Sequence, residues 1–425
     1  MAKHTDIQLR SQVFYQVFPR QHSKKQNFQG VMKDLDRIRD LGVDVIYLLP
    51  FHPIGKVSRK GQMGSPYSIV DYYQIDPDLG SLDDLKLLVK KAHEKGMKVM
   101  MDIVINHTSR DSVLTKTHPE WFYKKADGSF ANRIGDWSDI TDLDYTKPGV
   151  SEYFTDVLIY WSKIVDGFRC DVAPMIPLDF WLQARTSIDQ IKPDFIWLTE
   201  SVEPGFIKYI RDMGYDAHSD SEMYQAFDIC YDYDIFKYMD HYLKDGTLLS
   251  QWIDKIAEQE TIYPKNYVKM RSFENHDQER LASKTRDLNH FMQMNALMLF
   301  LKGAAFIYAG QEFYNQKRPD LFENDLILFD KNHDLQVFFR RLSSIKKEPL
   351  LTHGIFEVLN KEKVVVLKYH DKKESIIGIF NLEKAKTVTL DLKDGIYHNM
   401  IDDKDIEIKN HIVELDETPM IIKVK

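Results

Sequence analysis

Through its first three-quarters the chain alternates short apolar runs with longer amphipathic segments, and this alternation restricts the fold more than any other feature. The runs lie at Val13–Phe18, Val43–Pro50, Lys98–Asn106, Val165–Asp171 and Phe195–Glu200. They continue with a weak one near Gly214–His218, then Val268–Asn275 and Ala304–Gly310. Between them come stretches such as SLDDLKLLVKKAHEKG, where Ser81 can cap a helix, acidic residues fill the first turn and Gly96 stands where the helix would stop. Strands joined through helices pair in parallel, and eight of them imply an α/β fold: a closed (β/α)8 TIM barrel with its helices outside. A doubly wound open sheet is the alternative, but no glycine-rich phosphate loop follows the first strand.

Two segments break the alternation. Residues 107–145 offer little regular structure, and a long loop inside a compact domain is usually functional, so they read as a short excursion over the barrel mouth after the third strand. From about residue 345 the runs GIFEVL, VVVLKYH, SIIGIFNL, KTVTLDL, DIEIK, HIVEL and MIIKVK alternate apolar and polar residues between turn-like NKEK, DKKE and LKDG. That pattern predicts a separate C-terminal antiparallel β-sandwich over 345–425, leaving 1–106 and 146–344 to the barrel.

Composition excludes several classes of partner. The net charge is -8 with no basic stripe, which argues against nucleic acid. No apolar run is long enough for a bilayer, and none follows the first charges of MAKHTDIQLRSQ, so neither a membrane span nor a signal peptide is expected. Two cysteines, Cys170 and Cys230, do not make a disulfide framework. A cytoplasmic protein is the expectation. No residue pattern specifies an oligomeric state. Aromatic residues reach 12%, mostly core by expectation, though flat amphipathic rings also suit sugar surfaces.

In a parallel barrel the reactive side chains gather at the C-terminal ends of strands. Asp171 ends one run, Glu200 the next, and Asp277 follows VKMRSFEN closely; His107, Arg169 and His276 sit at comparable ends. Within GFRCDVA, Arg169 and Asp171 are two apart and share a face, while Cys170 points away, the position of a packing residue. Two chemistries use such a set. Paired carboxylates cleave glycosides, one attacking and one donating a proton. Asp and His clusters bind metals for phosphate or amide hydrolysis. Arg169 beside Asp171 is expected to hold that acid charged, whereas Glu200, after apolar FIWLT, has surroundings that favour its neutral form. That asymmetry favours a nucleophile and an acid.

The motifs then converge on one family. DIVINH (Asp102–His107), GFRCDVA (Gly167–Ala173), WLTE (Trp197–Glu200) and FENHD (Phe273–Asp277) resemble, in order, the four motifs of the α-amylase family, family thirteen of the glycoside hydrolases. GVDVIYLLP, SPYSIVDYYQIDPDLGS and GAAFIYAGQE support the resemblance, each near the strand it should occupy. It implies a retaining double displacement on an α-glucosidic bond, with Asp171 as nucleophile, Glu200 as acid/base and Asp277 binding sugar hydroxyls and steadying the transition state. His107 and His276 would hydrogen-bond the sugar, Arg169 would position Asp171, and Tyr67 would stack on the ring. Asp102 is read as support for the site.

Departures from the family pattern sharpen the expectation. Pro174 and Met175 replace the Lys and His many members carry after the nucleophile, which argues against endo-cleavage of long starch chains. Asp144 stands where Asn is usual, and Val172 is shared with oligo-1,6-glucosidases, leaving linkage open. Asn106 matches a calcium ligand of secreted amylases, but no further ligand can be assigned; calcium is left open, and no metal or cofactor is predicted. The expected activity is hydrolysis of α-glucan oligosaccharides of the maltodextrin type. The alternatives are an α-glucan transglycosidase, an oligo-1,6-glucosidase, a metal-dependent hydrolase and a non-enzymatic relative, the last disfavoured by the presence of all three acids.

Some single residues carry weaker expectations. His22, His93 and His118 read as surface or supporting residues, and His52 as a candidate for the mouth. Trp121 and Trp137 could stack on sugars or pin down the excursion. The run Tyr224–Tyr242 should include a barrel helix whose aromatics reach the cleft near Asp228 and Asp232.

Overall fold

In the computed structural model, residues 5–134 and 137–425 are described; Met1–His4, the start of the N-terminal stretch read above, lie outside the described residues. Strands β1 (Val13–Val17), β2 (Val45–Leu48) and β3 (Lys98–Ile103) are followed by β4 (His107–Ser109) and β5 (Ile140–Asp142). Then come β6 (Gly167–Cys170), β7 (Ile196–Thr199), β8 (Ile229–Tyr231), β9 (Val268–Arg271) and β10 (Ala304–Tyr308). Eight of these close a parallel barrel in the order β1-β10-β9-β8-β7-β6-β3-β2. Two apolar layers clothe it. Phe14, Tyr47, Met100, Leu198, Tyr231, Met270 and Phe306 fill the interior, while the alternate positions, among them Tyr15, Ile46, Met101 and Cys170, pack outward against the helices.

The helix after β2 shows how local signals set the frame. Ser81 and Asp84 form a reciprocal capping box at the start of Leu82–Glu94, whose Leu85, Leu88, Val89 and Ala92 are buried. Gly96, at φ +71, takes the left-handed turn that ends it. Inside the barrel the constraint is space. A Cβ on Gly167 would lie 2.8 Å from the Ile196 carbonyl and 2.9 Å from Met100 Cε, so only glycine lets β6 close against its neighbours. Gly167→Ala should therefore lower the unfolding free energy by about 1–3 kcal/mol in a denaturant titration; an unchanged midpoint would show that the interior can yield.

One expected strand is corrected. Gly214–His218 is not a strand: Gly214, at φ +84, turns the chain at the end of the helix Pro204–Asp212. The sixth barrel strand is β8, three residues long, inside the aromatic run read as helical; the helix Tyr233–Asp245 begins only after it. Asp228 precedes β8 and is buried at the opposite end from the mouth, accepting from Trp197 N–H, Thr5 and Arg185. Asp232 is bound by Arg271 and Gln259. Neither acid is in the cleft; Tyr233 is the aromatic that reaches it.

The stretch between β3 and β6 is more ordered than its sequence suggests. β4 and β5 pair antiparallel, His107 opposite Asp142, and a short helix spans Val113–Thr117. Trp121 packs: its ring stacks on His118 at 3.8 Å and its Nε1–H donates to the Pro148 carbonyl. After the barrel, two four-stranded antiparallel sheets face each other across Val366, Ile379, Ile408, Val413 and Ile422. The outer face of the first sheet presses Tyr369 and Phe380 onto Phe300 of the helix Leu288–Phe300. Among the described residues, no helix is long and apolar enough to cross a membrane.

Candidate active site

Parity along the strands delivers a polar cluster to the C-terminal end of the barrel. Phe14 faces inward, so Gln16 does too; Met100 carries Asp102 to the same side, and Leu198 carries Glu200. Arg169, opposite Leu198 on the neighbouring strand, lies in this layer with Asp171 two residues on. These ends open into a cavity of about 550 Å³ that Tyr67, His107, Asp171, Glu200 and Asp277 help to line. Its walls also include Trp137, Phe206, Tyr233 and Phe322.

Arg169 organises the floor. Its Nη1 donates to Asp102 and, at 2.8 Å, to Asp171 Oδ1, while its Nη2 lies 2.8 Å from Glu200 Oε1. One planar guanidinium thus holds both acids across the same space. The expectation that Arg169 holds Asp171 charged is corrected, because the same guanidinium also serves Glu200. Burial pushes Asp171 well above the usual carboxylate range, the charge of Glu200 adds to that, and Arg169 opposes it. Burial raises Glu200 as well, against the pull of Arg169 and with a further push from Asp277. Two buried acids sharing one cation resist ionising together and titrate as a pair.

Glu200 has a second anchor. Its Oε2 accepts the backbone N–H of Val172 at 2.8 Å. Val172 sits at φ +40, a left-handed conformation that a β-branched residue adopts only at a cost of about 1–3 kcal/mol. The strain therefore lies at the residue joining the two acids, where it aims an N–H at one of them.

Asp277 differs from both. Burial opposes its ionisation, but the neighbouring His276, then Arg169 and Arg318, outweigh it and pull the carboxyl down to about 2. Its side chain is 45% exposed and its Oδ2 lies 3.0 Å from His276 Nε2. The proton on His276 is directed from below. Gln16 accepts the His276 backbone N–H through Oε1, which turns its amide nitrogen onto His276 Nδ1 at 3.0 Å and leaves the hydrogen on Nε2. Tyr67 lies nearly parallel to the His276 ring, and its hydroxyl is 2.6 Å from Nε2 and 2.8 Å from Asp102 Oδ2. Tyr47 also donates to Asp102, which is fully buried beneath the floor.

His107 stands on the other wall, its Nε2 4.0 Å from Asp171 Oδ2. Burial lowers its pKa and favours neutral imidazole. Trp137 flanks it at 5.8 Å between ring centroids, so of the two excursion tryptophans this one meets the cavity. His22, His93 and His52 lie away from this cavity. His22 is buried against Asp34, and His93 binds Asp166. His52 is buried beside a separate cavity with Arg20 and Arg59, and burial lowers it to about 4.

The structure brings every expected site residue to this one cavity or directly beneath it. Sequence reasoning missed Gln16, Lys60, Phe206 and Phe322. A buried glutamine in the apolar run VFYQVF was the one available signal. Lys60, 3.0 Å from buried Asp139, and Phe322 come from distant loops that carry no periodicity. Chemically, the pocket offers two facing carboxylates of shared proton content, a third that stays ionised, directed imidazole N–H groups and aromatic walls.

Known proteins share this frame. The family model for the alpha amylase catalytic domain matches residues 12–128 and 115–335, and that for the bacterial alpha amylase C-terminal domain matches residues 355–422. A solved alpha-amylase from Lactobacillus plantarum is 43% identical with a TM-score of 0.96, the match covering 99% of this chain and 100% of that one. A noncanonic maltogenic alpha-amylase from Thermotoga neapolitana is 32% identical, with a TM-score of 0.87 over 98% of this chain and 99% of that one. The intracellular maltogenic amylase of Bacillus subtilis is 27% identical over 78% of this chain and 57% of its own length. The chain spans between about a third and two thirds of the length of the curated relatives it matches, 64%, 48% and 34% for three of them.

Proposed function

The chain belongs to the α-amylase family, and we propose that it hydrolyses α-glucosidic bonds in maltodextrin-like oligosaccharides with retention of configuration. The observation that carries this reading is the single guanidinium of Arg169 bonded to both Asp171 and Glu200 at 2.8 Å. Both acids then face one sugar, and retention needs carboxyl groups close together, roughly 5–5.5 Å, instead of the wider gap that admits a water.

In this account the acid pair holds one proton, and the reactive arrangement has it on Glu200. Asp171 attacks the anomeric carbon as Glu200 protonates the departing glycosidic oxygen, leaving a glycosyl ester on Asp171. Glu200, now ionised, takes a proton from water as that water displaces the ester and restores the original configuration. Asp277, held ionised by His276, faces the positive charge that develops on the ring. The N–H groups of His107 and His276 bond sugar hydroxyls, Tyr67 offers its ring to the sugar, and Trp137, Tyr233 and Phe206 give the chain apolar surface.

The name of the Bacillus subtilis relative, an intracellular maltogenic amylase, supports a cytoplasmic enzyme acting on short glucans. Incubation with maltotriose tests the proposal: glucose and maltose should accumulate from the first time points. Early appearance of longer oligomers would make transfer to sugar the main activity, and no turnover on maltotriose, isomaltose or pullulan would overturn the reading.

A further inference from the structure

Asn106 matches a calcium ligand in the family resemblance, so what it binds here bears on metal dependence. Its Oδ1 accepts from Nη2 of Arg133. The same guanidinium donates from Nε to Asp142 Oδ2 at 3.0 Å and from Nη1 to the Met175 carbonyl at 3.1 Å, and the Arg133 backbone N–H adds a 2.8 Å bond to Asp142. Only 5% of the Arg133 side chain is exposed, and the rings of Tyr123 and Tyr215 lie 5.2 and 5.8 Å from its Cζ. An amide oxygen from the end of β3, a carboxylate from β5 and a backbone carbonyl from the turn after β6 thus converge on one buried cation.

We propose that Arg133 takes the place of a divalent cation at this junction and that the active-site rim is held without calcium. Calcium needs about six to eight oxygens at about 2.3–2.6 Å. Here the three converging oxygens are spent on the N–H groups of a planar fork, and only Asp142 Oδ1 is left without a partner. Arg133 and Asp142 neutralise each other, so no surplus negative charge remains to draw a dication. Among the described residues, no group of three or more His, Cys, Asp or Glu side chains could hold a metal ion.

The arrangement also positions a residue of the site. Because Arg133 takes Asn106 Oδ1, the Asn106 amide nitrogen is turned onto His107 Nδ1 at 3.2 Å. That fixes the His107 proton on Nε2, the atom that faces Asp171. The bond to Met175 meanwhile ties down the short turn Ala173–Met175 that follows the nucleophile. Arg133 is thus a positioning residue for both walls of the pocket. This positioning role rests on the glycosidase reading; the replacement of a metal does not.

Two arms test it. Exhaustive chelation of the wild-type protein, followed by return of millimolar calcium, should leave both Tm and kcat/KM on maltotriose unchanged. A Tm that falls on chelation and recovers with calcium would overturn the replacement, whatever the substrate proves to be. In the second arm Arg133→Ala should lower Tm and reduce kcat by about 10–100-fold, the usual loss when a group orienting an active-site ligand is removed. KM should change little, and millimolar guanidinium should restore part of kcat, which a general loss of packing would not allow. Arg133→Ala with full Tm and kcat would refute the proposal, as would a loss of kcat that guanidinium and Arg133→Lys both fail to relieve. Should Arg133→Ala not fold, the wild-type arm decides alone.

Discussion

Asp171→Asn is expected to fold, to bind maltotriose, and to turn it over at least about 10⁴-fold more slowly than the wild type, the scale of loss when a covalent nucleophile is removed. The amide keeps the shape of the acid and can still accept from Arg169 Nη1, so the floor of the pocket should stay in place. What disappears is the group that bonds to carbon. Thermal melting separates this from a folding defect. Burial and Glu200 raise Asp171 together, so its ionised form is disfavoured in the fold. Replacing it with a neutral residue should hold or raise Tm at pH values above the ordinary carboxylate range, where the unfolded chain carries this acid ionised and the fold disfavours that form. An undiminished rate would remove Asp171 from the mechanism, and a lost rate with a collapsed Tm would reassign it to structure.

Glu200→Gln should separate the two halves of the reaction. With natural oligosaccharides the rate should fall by about 10²–10⁴-fold, because neither the departing sugar nor the incoming water has its proton partner. From an α-maltosyl fluoride the fluoride departs without protonation as Asp171 takes the maltosyl group, so the first step should survive on that substrate. Added azide should then speed turnover, since it attacks the ester without a base, and the product should be the α-azide. The pH profile gives a second reading. Glu200 is raised by burial and by Asp277, so the wild-type rate should fall as pH rises through that elevated value. The variant, having no proton to lose there, should lack this alkaline limb. A variant that azide does not rescue, or that keeps the limb, would point to a different acid.

Much of the barrel and its acids is legible in the sequence, for a physical reason. Inward and outward positions along a parallel barrel alternate, so apolar runs ending in Arg169, Asp171 and Glu200 announce both the strand and the face that carries the chemistry. β8 failed the same test because three residues between Asp228 and Asp232 are too few to show a period, and its aromatic neighbours read as helix. β4 and β5 are as short, and their pairing joins residues far apart in the chain.

Within the site, the residue types were legible and their couplings were not. GFRCD displays Arg169 next to Asp171, but its second bond, to Glu200, depends on the register between β6 and β7. That register changed the electrostatics from one charged acid and one neutral acid to a pair sharing a cation. Gln16 directs His276 across 260 positions of sequence. Arg133 reaches Asn106, Asp142 and Met175 from a loop whose local sequence shows only one more surface-type arginine.

Retaining hydrolysis here requires Asp171 and Glu200 to work on the same sugar from one cavity, with the ester formed on the aspartate. Trapping is the direct measurement. A ring-fluorinated α-maltosyl fluoride, whose ester with the enzyme hydrolyses slowly, should add one fluoromaltosyl group to the intact protein, and peptide sequencing should find it on Asp171. A label on Glu200, or product released with inverted configuration and no label at all, would contradict it.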